Sequence, residues 1–321
     1  MHKDRTKKRF PVLNLKTHRM KRLAAWLLHL FPFRTLNLIV LRDRQMRKNV
    51  QKHGIESNVL HTEQDKLLYW EGGAGKELLF LHGFGGNALL TWEKEGLHFK
   101  KHHRFIAPDL LWFGESTSKR EPNLLSQCEV IVALLDHLQI EKVTIVGQSY
   151  GGFVALGLAN YFPERVSQII LANCPGTTFN REKLDEVCKT YHVQTIEELF
   201  ICKTPEALRR LFDLVTESRP NFPRFIWQQM YDSYFSKNHQ EQWHLMRSLA
   251  AEQGHFESLA FLDEIPITML WSENDRLFPY EEGKYFSKCT NAPFYVIPKV
   301  GHAPQFDNRK AFTNALKRIL E

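Results

Sequence analysis

From about Val59 onward, hydrophobic and polar positions alternate in blocks. KLLYW (66–70) reads as a short strand, closed by the turn signal EGGAGK (71–76). ELLFLHG (77–83) is a continuous apolar run ending in glycine, as a parallel strand buried on both faces should be. RFIAPD (104–109) repeats that pattern. LLSQCEVIVALLDHLQI (124–140) has helical spacing, with Leu125, Val132 and Leu135 recurring at helical steps. KVTIVG (142–147) is a strand, YGGFVALGLANYF (150–162) a helix ending near Pro163, and VSQIILANC (166–174) a strand again. Late in the chain come ITMLWSEND (267–275), PFYVIPKVGH (293–302) and the helix RKAFTNALKRIL (309–320). Strands alternating with helices predict an α/β fold: a mostly parallel sheet with right-handed crossovers, flanked by helices.

Between Pro175 and Leu262 this rhythm is lost. The stretch is helical and rich in aromatics: Phe200, Phe212, Phe225, Trp227, Tyr231, Tyr234, Phe235 and Trp243. It reads as a helical cap (175–262) inserted into one α/β core built from 57–174 and 263–321. No internal repeat and no low-complexity segment interrupts the chain.

Residues 1–56 follow a third pattern. Residues 23–41 are mostly apolar, close to the roughly 20 residues a bilayer span requires. His29 and Arg34 lie inside that run and Pro32 would break a helix there, which argues against a simple span. No small-residue cleavage site follows it, so a removed signal peptide is not expected. Nine Lys/Arg precede the run and five lie within Arg42–Lys52. Flanking cations with Trp26, Phe31 and Phe33 suit a helix lying on an anionic membrane surface. We therefore expect a basic helical arm (1–56) that contacts a membrane through 16–52. The expected placement is peripheral, on the cytoplasmic face, with a single N-terminal span as the alternative. A helix packed on its own domain is the competing structural reading.

Composition adds limits. The 321 residues are 43% hydrophobic and 25% charged, enough for one large globular α/β domain. The net charge of +7 is uneven: residues 1–56 carry +12 and the remainder −5. Nucleic-acid binding is not expected from a mildly acidic body. Five scattered cysteines form no C-x-x-C pair and no zinc-like cluster, so neither a metal nor a cofactor is called for.

The chemistry centres on KVTIVGQSYGGFVALGLA (142–159), a strand, tight turn and helix with Ser149 at the turn. A serine there adopts a strained backbone, so its neighbours two before and two after must be tiny; Gly147 and Gly151 meet that need. The following helix aims its N-terminus at the place where negative charge would form. A serine hydroxyl needs a base. His302 follows a predicted strand and Asp275 lies in the loop after an earlier one. The order Ser149, Asp275, His302 is nucleophile, acid, base. Glu273 is the rival acid. In FLHGFGG (80–86) a strand ends in a glycine-rich loop, placing the Phe84 and Tyr150 backbone N–H groups as oxyanion donors. His82 in that loop reads as a structural residue.

LFLHGFGGN, APDLLWFGES, VGQSYGGFVAL, PITMLWSENDRLFP and VGHAPQFDN span residues 79–308 and resemble successive motif blocks of the α/β-hydrolase superfamily. The resemblance implies the α/β-hydrolase fold with an inserted helical cap. It also implies an oxyanion loop, a nucleophile elbow, an acid loop and a histidine loop. Haloalkane dehalogenases and related epoxide hydrolases carry aspartate at the elbow, where this chain has Ser149. Within the serine members, a basic membrane-seeking N-terminus with a helical cap resembles monoacylglycerol-lipase-like (ABHD6-like) esterases. The chain departs from the family at Trp112, where a glycine is usual, and at Tyr150. The Trp112 ring would narrow the pocket or pack under the cap.

The function this implies is a serine hydrolase cleaving carboxylic esters of apolar or lipid-like substrates through an acyl-enzyme. The alternative is a meta-cleavage-product-type C–C hydrolase with the same triad, needing a basic residue at the pocket such as Arg181, Arg209 or Arg210. A non-catalytic membrane-bound binding protein is the remote third reading.

Overall fold

The computed structural model describes residues 36–175, 181–252 and 264–320. The chain divides into two compact units, Met1–Leu38 and Ile39–Glu321. Residues 16–35, expected on a membrane surface, lie outside the described residues, as do 176–180 and 253–262 of the expected cap and residue 263 of the expected core. The described residues of the second unit include nine strands: β1 Ile55–His61, β2 Asp65–Gly72, β3 Lys76–Leu81, β4 His103–Pro108, β5 Thr117–Ser118, β6 Val143–Gln148, β7 Val166–Ala172, β8 Ile267–Ser272 and β9 Phe294–Ile297. They form one sheet in the order β1-β2-β4-β3-β6-β7-β8-β9, with β5 beside β2. Pairings involving β2 are antiparallel and all others parallel.

Strand burial follows from helices on both faces. Every residue of β8 is buried, as are the last four of β3, β6 and β7. Alternate positions of one run enter opposite cores. Leu79, Leu81, Ile145, Ile169 and Leu171 join the helices Leu124–His137 and Tyr150–Tyr161. Leu78, Phe80, Val146 and Ile170 join the helices Leu38–Lys52, Ala88–Phe99 and Arg309–Leu320. Phe80 is fully buried against Trp92, Phe99 and Phe105, with ring centroids 5.1–5.8 Å away. Burial of such a ring contributes about 2–3 kcal/mol.

The Leu124–His137 helix corrects one expected phase. Leu125 is 40% exposed, and the buried stripe is Leu124, Cys128, Ile131 and Leu135. Leu124 packs because Asn123 caps the helix, its side chain accepting the Ser126 N–H, which sets the first turn. Asn87 caps Ala88–Phe99 in the same way.

The helix Leu38–Lys52, expected as part of the arm, packs into the core through Met46 and Val50. From Ile39 it belongs to the body, as does the strand starting at Ile55. Among the described residues no helix is long and apolar enough to cross a membrane. Between β7 and β8 lie helices Arg181–Thr190, Ile196–Phe200, Pro205–Val215, Arg224–Met230 and His239–Glu252, with a π-turn at Tyr231–Phe235. No strand occurs among the described residues there. All five cysteines are free, four of them buried.

Candidate active site

β6 ends at Gln148 and the next helix starts at Tyr150, so Ser149 alone makes the turn between them. Its φ of 52° and ψ of −120° lie where side-chain-bearing residues are rarely found. The flanking glycines follow from the crowding this creates. A Cβ on Gly147 would stand 2.6 Å from the Gly151 carbonyl oxygen, and one on Gly151 would stand 2.2 Å from that of Leu81. Both obstacles are backbone and cannot rotate away.

The loops after β8 and β9 bring the other two residues to this serine. His302 Nε2 lies 2.9 Å from Ser149 Oγ, and His302 Nδ1 lies 2.8 Å from Asp275 Oδ2. The carboxylate oxygen accepts from Nδ1–H, which leaves Nε2 as the acceptor for the serine hydroxyl. Asp275 Oδ1 accepts the backbone N–H groups of Leu277 and Phe278 at 2.8 and 2.9 Å. All three residues are buried. The Phe278 ring meets the His302 ring edge-on at 5.2 Å, fixing the imidazole plane. Glu273 is directed elsewhere: its Oε2 accepts the Lys299 N–H at 2.9 Å.

Several partners had no place in the sequence reading. The His302 carbonyl accepts from Asn173 Nδ2 at 2.8 Å and from Gln148 Nε2 at 3.4 Å, and Gln305 Nε2 donates to Gln148 Oε1. For Gln148 and Asn173 the signal was positional: polar residues at the C-terminal ends of buried strands β6 and β7, where open α/β sheets bind ligands.

The glycine-rich loop after β3 lies against the serine, and a Cβ on Gly83 would be 3.2 Å from that of Ser149. Among the described residues no acceptor takes the Phe84 N–H. His82 holds the loop, as expected. Its Nε2 accepts the Leu110 N–H at 3.0 Å, so the proton sits on Nδ1 and is donated to the Gly83 carbonyl at 2.8 Å. Burial lowers its pKa to about 4, keeping the ring neutral. Asp109 braces the same region by accepting from the N–H groups of Ala88 and Glu115; burial raises its pKa to about 6.

The Tyr150 ring is buried beneath Phe84 at 5.5 Å, edge-on, and lines no part of the cavity. Trp112 packs under the helical segment and leaves the cavity unnarrowed. Its ring is buried, and its carbonyl accepts from Asn238 Nδ2 and Gln242 Nε2 at 3.0 and 2.9 Å.

Ser149 and His302 open on a cavity of about 440 Å³, ordinary for a small-molecule site. Its walls are largely apolar: Phe84, Phe200, Phe212, Phe222, Ile226, Met230 and Phe235. Of the expected aromatics, Phe225 and Trp243 face solvent, and Trp227 is buried beside Phe212. Exposed Arg209 and Arg210 line no part of it, and the Arg181 side chain lies outside the described set. Among the described lining residues, the arginine is Arg42, from the N-terminal helix.

The model of the alpha/beta hydrolase fold matches residues 76–309. The chain belongs to the alpha/beta hydrolase family. An uncharacterised Mycobacterium tuberculosis protein is 42% identical to this hydrolase-family chain over 109 residues, 33% of this chain and 31% of that protein. The chain thus matches about a third of the length of that relative. The 2-hydroxy-6-oxononadienedioate/2-hydroxy-6-oxononatrienedioate hydrolase of Paraburkholderia phymatum is 27% identical, covering 79% of this chain and 91% of that one. Lipase 1 of Psychrobacter immobilis is 25% identical, covering 79% and 82%. A serine hydrolase from Cycloclasticus zankles superposes with a TM-score of 0.70 at 26% identity, covering 83% of this chain and 98% of that one.

Proposed function

We propose that this protein is a serine hydrolase of carboxylic esters with apolar, lipid-like acyl groups, monoacylglycerol-type esters among them. The observation that carries the reading is the unbroken chain Asp275–His302–Ser149 opening on an apolar cavity. His302 Nε2 takes the Ser149 proton as Oγ attacks the ester carbonyl carbon. The oxyanion that forms is held by the Phe84 and Tyr150 N–H groups. The C–O bond breaks, the alcohol leaves with the proton from His302, and the acyl group stays on Oγ. Water, deprotonated by His302, then attacks the acyl-enzyme, releasing the acid and restoring the serine. Asp275 stabilises the imidazolium in both halves.

Fluorophosphonate labelling tests this: wild type is labelled and Ser149→Ala is not. A folded wild type that stays unlabelled defeats the reading. One observation favours a second reading, C–C hydrolysis of a dienone acid: the similarity to the Paraburkholderia enzyme along 79% of the chain. Turnover of ring-fission acids without turnover of p-nitrophenyl or glyceryl esters would reverse the order.

The membrane placement is part of the same proposal. On the described end of the basic segment, Leu41, Arg44 and Lys48 are exposed. Peripheral association with a cytoplasmic leaflet would present the substrate to the cavity. Vesicle flotation with and without residues 1–35 tests it; unchanged binding to anionic vesicles after deletion defeats it.

A further inference from the structure

Among the described residues that line the cavity, Arg42 is the only lysine or arginine. It stands one turn after Ile39, and both reach the cavity from the N-terminal helix. Ser149 is buried and Arg42 is exposed, so the cavity runs from a buried nucleophile to a cation in contact with water.

That cation has no ion-pair partner within hydrogen-bonding distance among the described residues. The adjacent Asp43 carboxylate feels the charges of Arg47 and Arg42 and accepts the Tyr234 hydroxyl, without closing an ion pair on Arg42. Asp307, the acidic residue of the cavity wall, accepts the N–H groups of Glu217 and Gly301 at 2.8 Å each. The Arg42 guanidinium, in a cavity also lined by Phe222, Ile226 and Met230, offers a planar fork of donors that fits a carboxylate or phosphate.

We propose that Arg42 binds an anionic group carried by the substrate itself. The preferred substrate is then a single-chain anionic amphiphile, with its acyl ester at Ser149 and its phosphate or carboxylate at the watered end by Arg42. This deepens the ester-hydrolase reading and rests on it. It ranks anionic single-chain esters above the neutral glycerides that the apolar walls alone would favour.

The test compares 1-dodecanoylglycerol with its 3-phosphate, below micelle formation, on the full-length protein. Wild type should favour the phosphate by about tenfold in kcat/KM, the scale of one charge-assisted hydrogen bond at a solvated site. Arg42→Gln should bring the ratio to about one. Arg44→Gln, on the same helix but outside the cavity, should keep it. A wild-type ratio near one, or a ratio that survives Arg42→Gln, overturns the proposal. So does equal loss with Arg44→Gln, which would mean a diffuse field.

A binding arm separates this site from the ester reading. Ser149→Ala should bind dodecyl phosphate about tenfold tighter than dodecanol, and the added Arg42→Gln should remove the difference. If inorganic phosphate alone binds as tightly as dodecyl phosphate, the amphiphile is not the ligand and the proposal fails. If dodecyl phosphate binds through Arg42 while no ester is turned over, the anion site stands and the ester reading falls.

Discussion

Asn173 Nδ2 donates a 2.8 Å hydrogen bond to the backbone carbonyl of His302. The same nitrogen donates to Ser272 Oγ, and Asn173 Oδ1 accepts the Ser272 N–H at 2.7 Å. One side chain at the end of β7 therefore ties the strand carrying the acid loop to the loop carrying the base. Its φ of 47° suits asparagine, which tolerates the left-handed region.

Asn173→Ala should cost about 3 kcal/mol of stability, because the buried Ser272 N–H loses its partner and the His302 carbonyl keeps only the 3.4 Å bond from Gln148 Nε2. It should lower kcat about ten- to a hundredfold, since small displacements of a catalytic group are expensive. KM should move little, because Asn173 does not line the cavity. Asn173→Asp keeps the shape without the donors and should lose rate in the same way. Steady-state kinetics of the two variants decide it: an Asp variant with wild-type kcat would show that the donated bond does not position His302.

The acid is assigned by geometry, and kinetics can check it. Asp275→Asn should lower kcat by about 10⁴, because an amide cannot hold the required tautomer of His302. Glu273→Gln should stay within a fewfold of wild type, since Glu273 braces Lys299 and does not reach the imidazole. The reverse ranking would transfer the role.

The strand–turn–helix around Ser149 was legible because its constraints are local. The glycines are set by contacts with backbone a few residues away or on the neighbouring strand, and the apolar runs report burial on both faces. Asp275 and His302 were legible by order along the chain. The helix Ala88–Phe99 was less so: Glu95 sits on its buried face, where Arg309 from the last helix pairs with it and the Thr313 hydroxyl donates to it. Residues distant in sequence by more than two hundred positions make that burial tolerable, and no local pattern carries it. Asn173 and Arg42 were missed for the same reason, as their partners and cavity exist only in the folded chain. The phase of Leu124–His137 depended on which of two adjacent leucines followed the Asn123 cap.

Trp112 occupies the left-handed region, with φ 66°, a conformation that favours glycine. Two effects oppose each other in Trp112→Gly. Relief of the backbone returns about 1–2 kcal/mol. Loss of a fully packed indole costs about 3–5 kcal/mol. Packing wins, so the variant should be destabilised by roughly 2 kcal/mol in denaturant titration. Hydrolysis of p-nitrophenyl butyrate should change less than threefold, because the ring lies outside the cavity. A variant more stable than wild type would show that strain, and not packing, dominates at this turn.

His82 and Asp109 place opposite demands on acid stability within one pH window. Burial lowers the His82 pKa from 6.5 to about 4, against the weaker pull of its bond to Gly83. The unfolded chain then gains a proton near 6.5 that the folded chain refuses until about 4. Stability present above pH 6.5 is lost as pH falls through that interval, by up to roughly 3 kcal/mol. Burial raises the Asp109 pKa from 3.8 to about 6, resisted by the N–H groups of Glu115 and Ala88. Here the folded chain binds the proton first, so stability rises as pH falls from about 6 to 3.8. The two slopes offset in wild type between pH 4 and 6. Asp109→Asn removes one of them, and its Tm should fall more steeply than that of wild type on acidification below pH 6. The comparison reads slopes, so any uniform loss of stability in the variant drops out. Parallel melting profiles for the two proteins between pH 4 and 7 would mean that Asp109 does not titrate in this window.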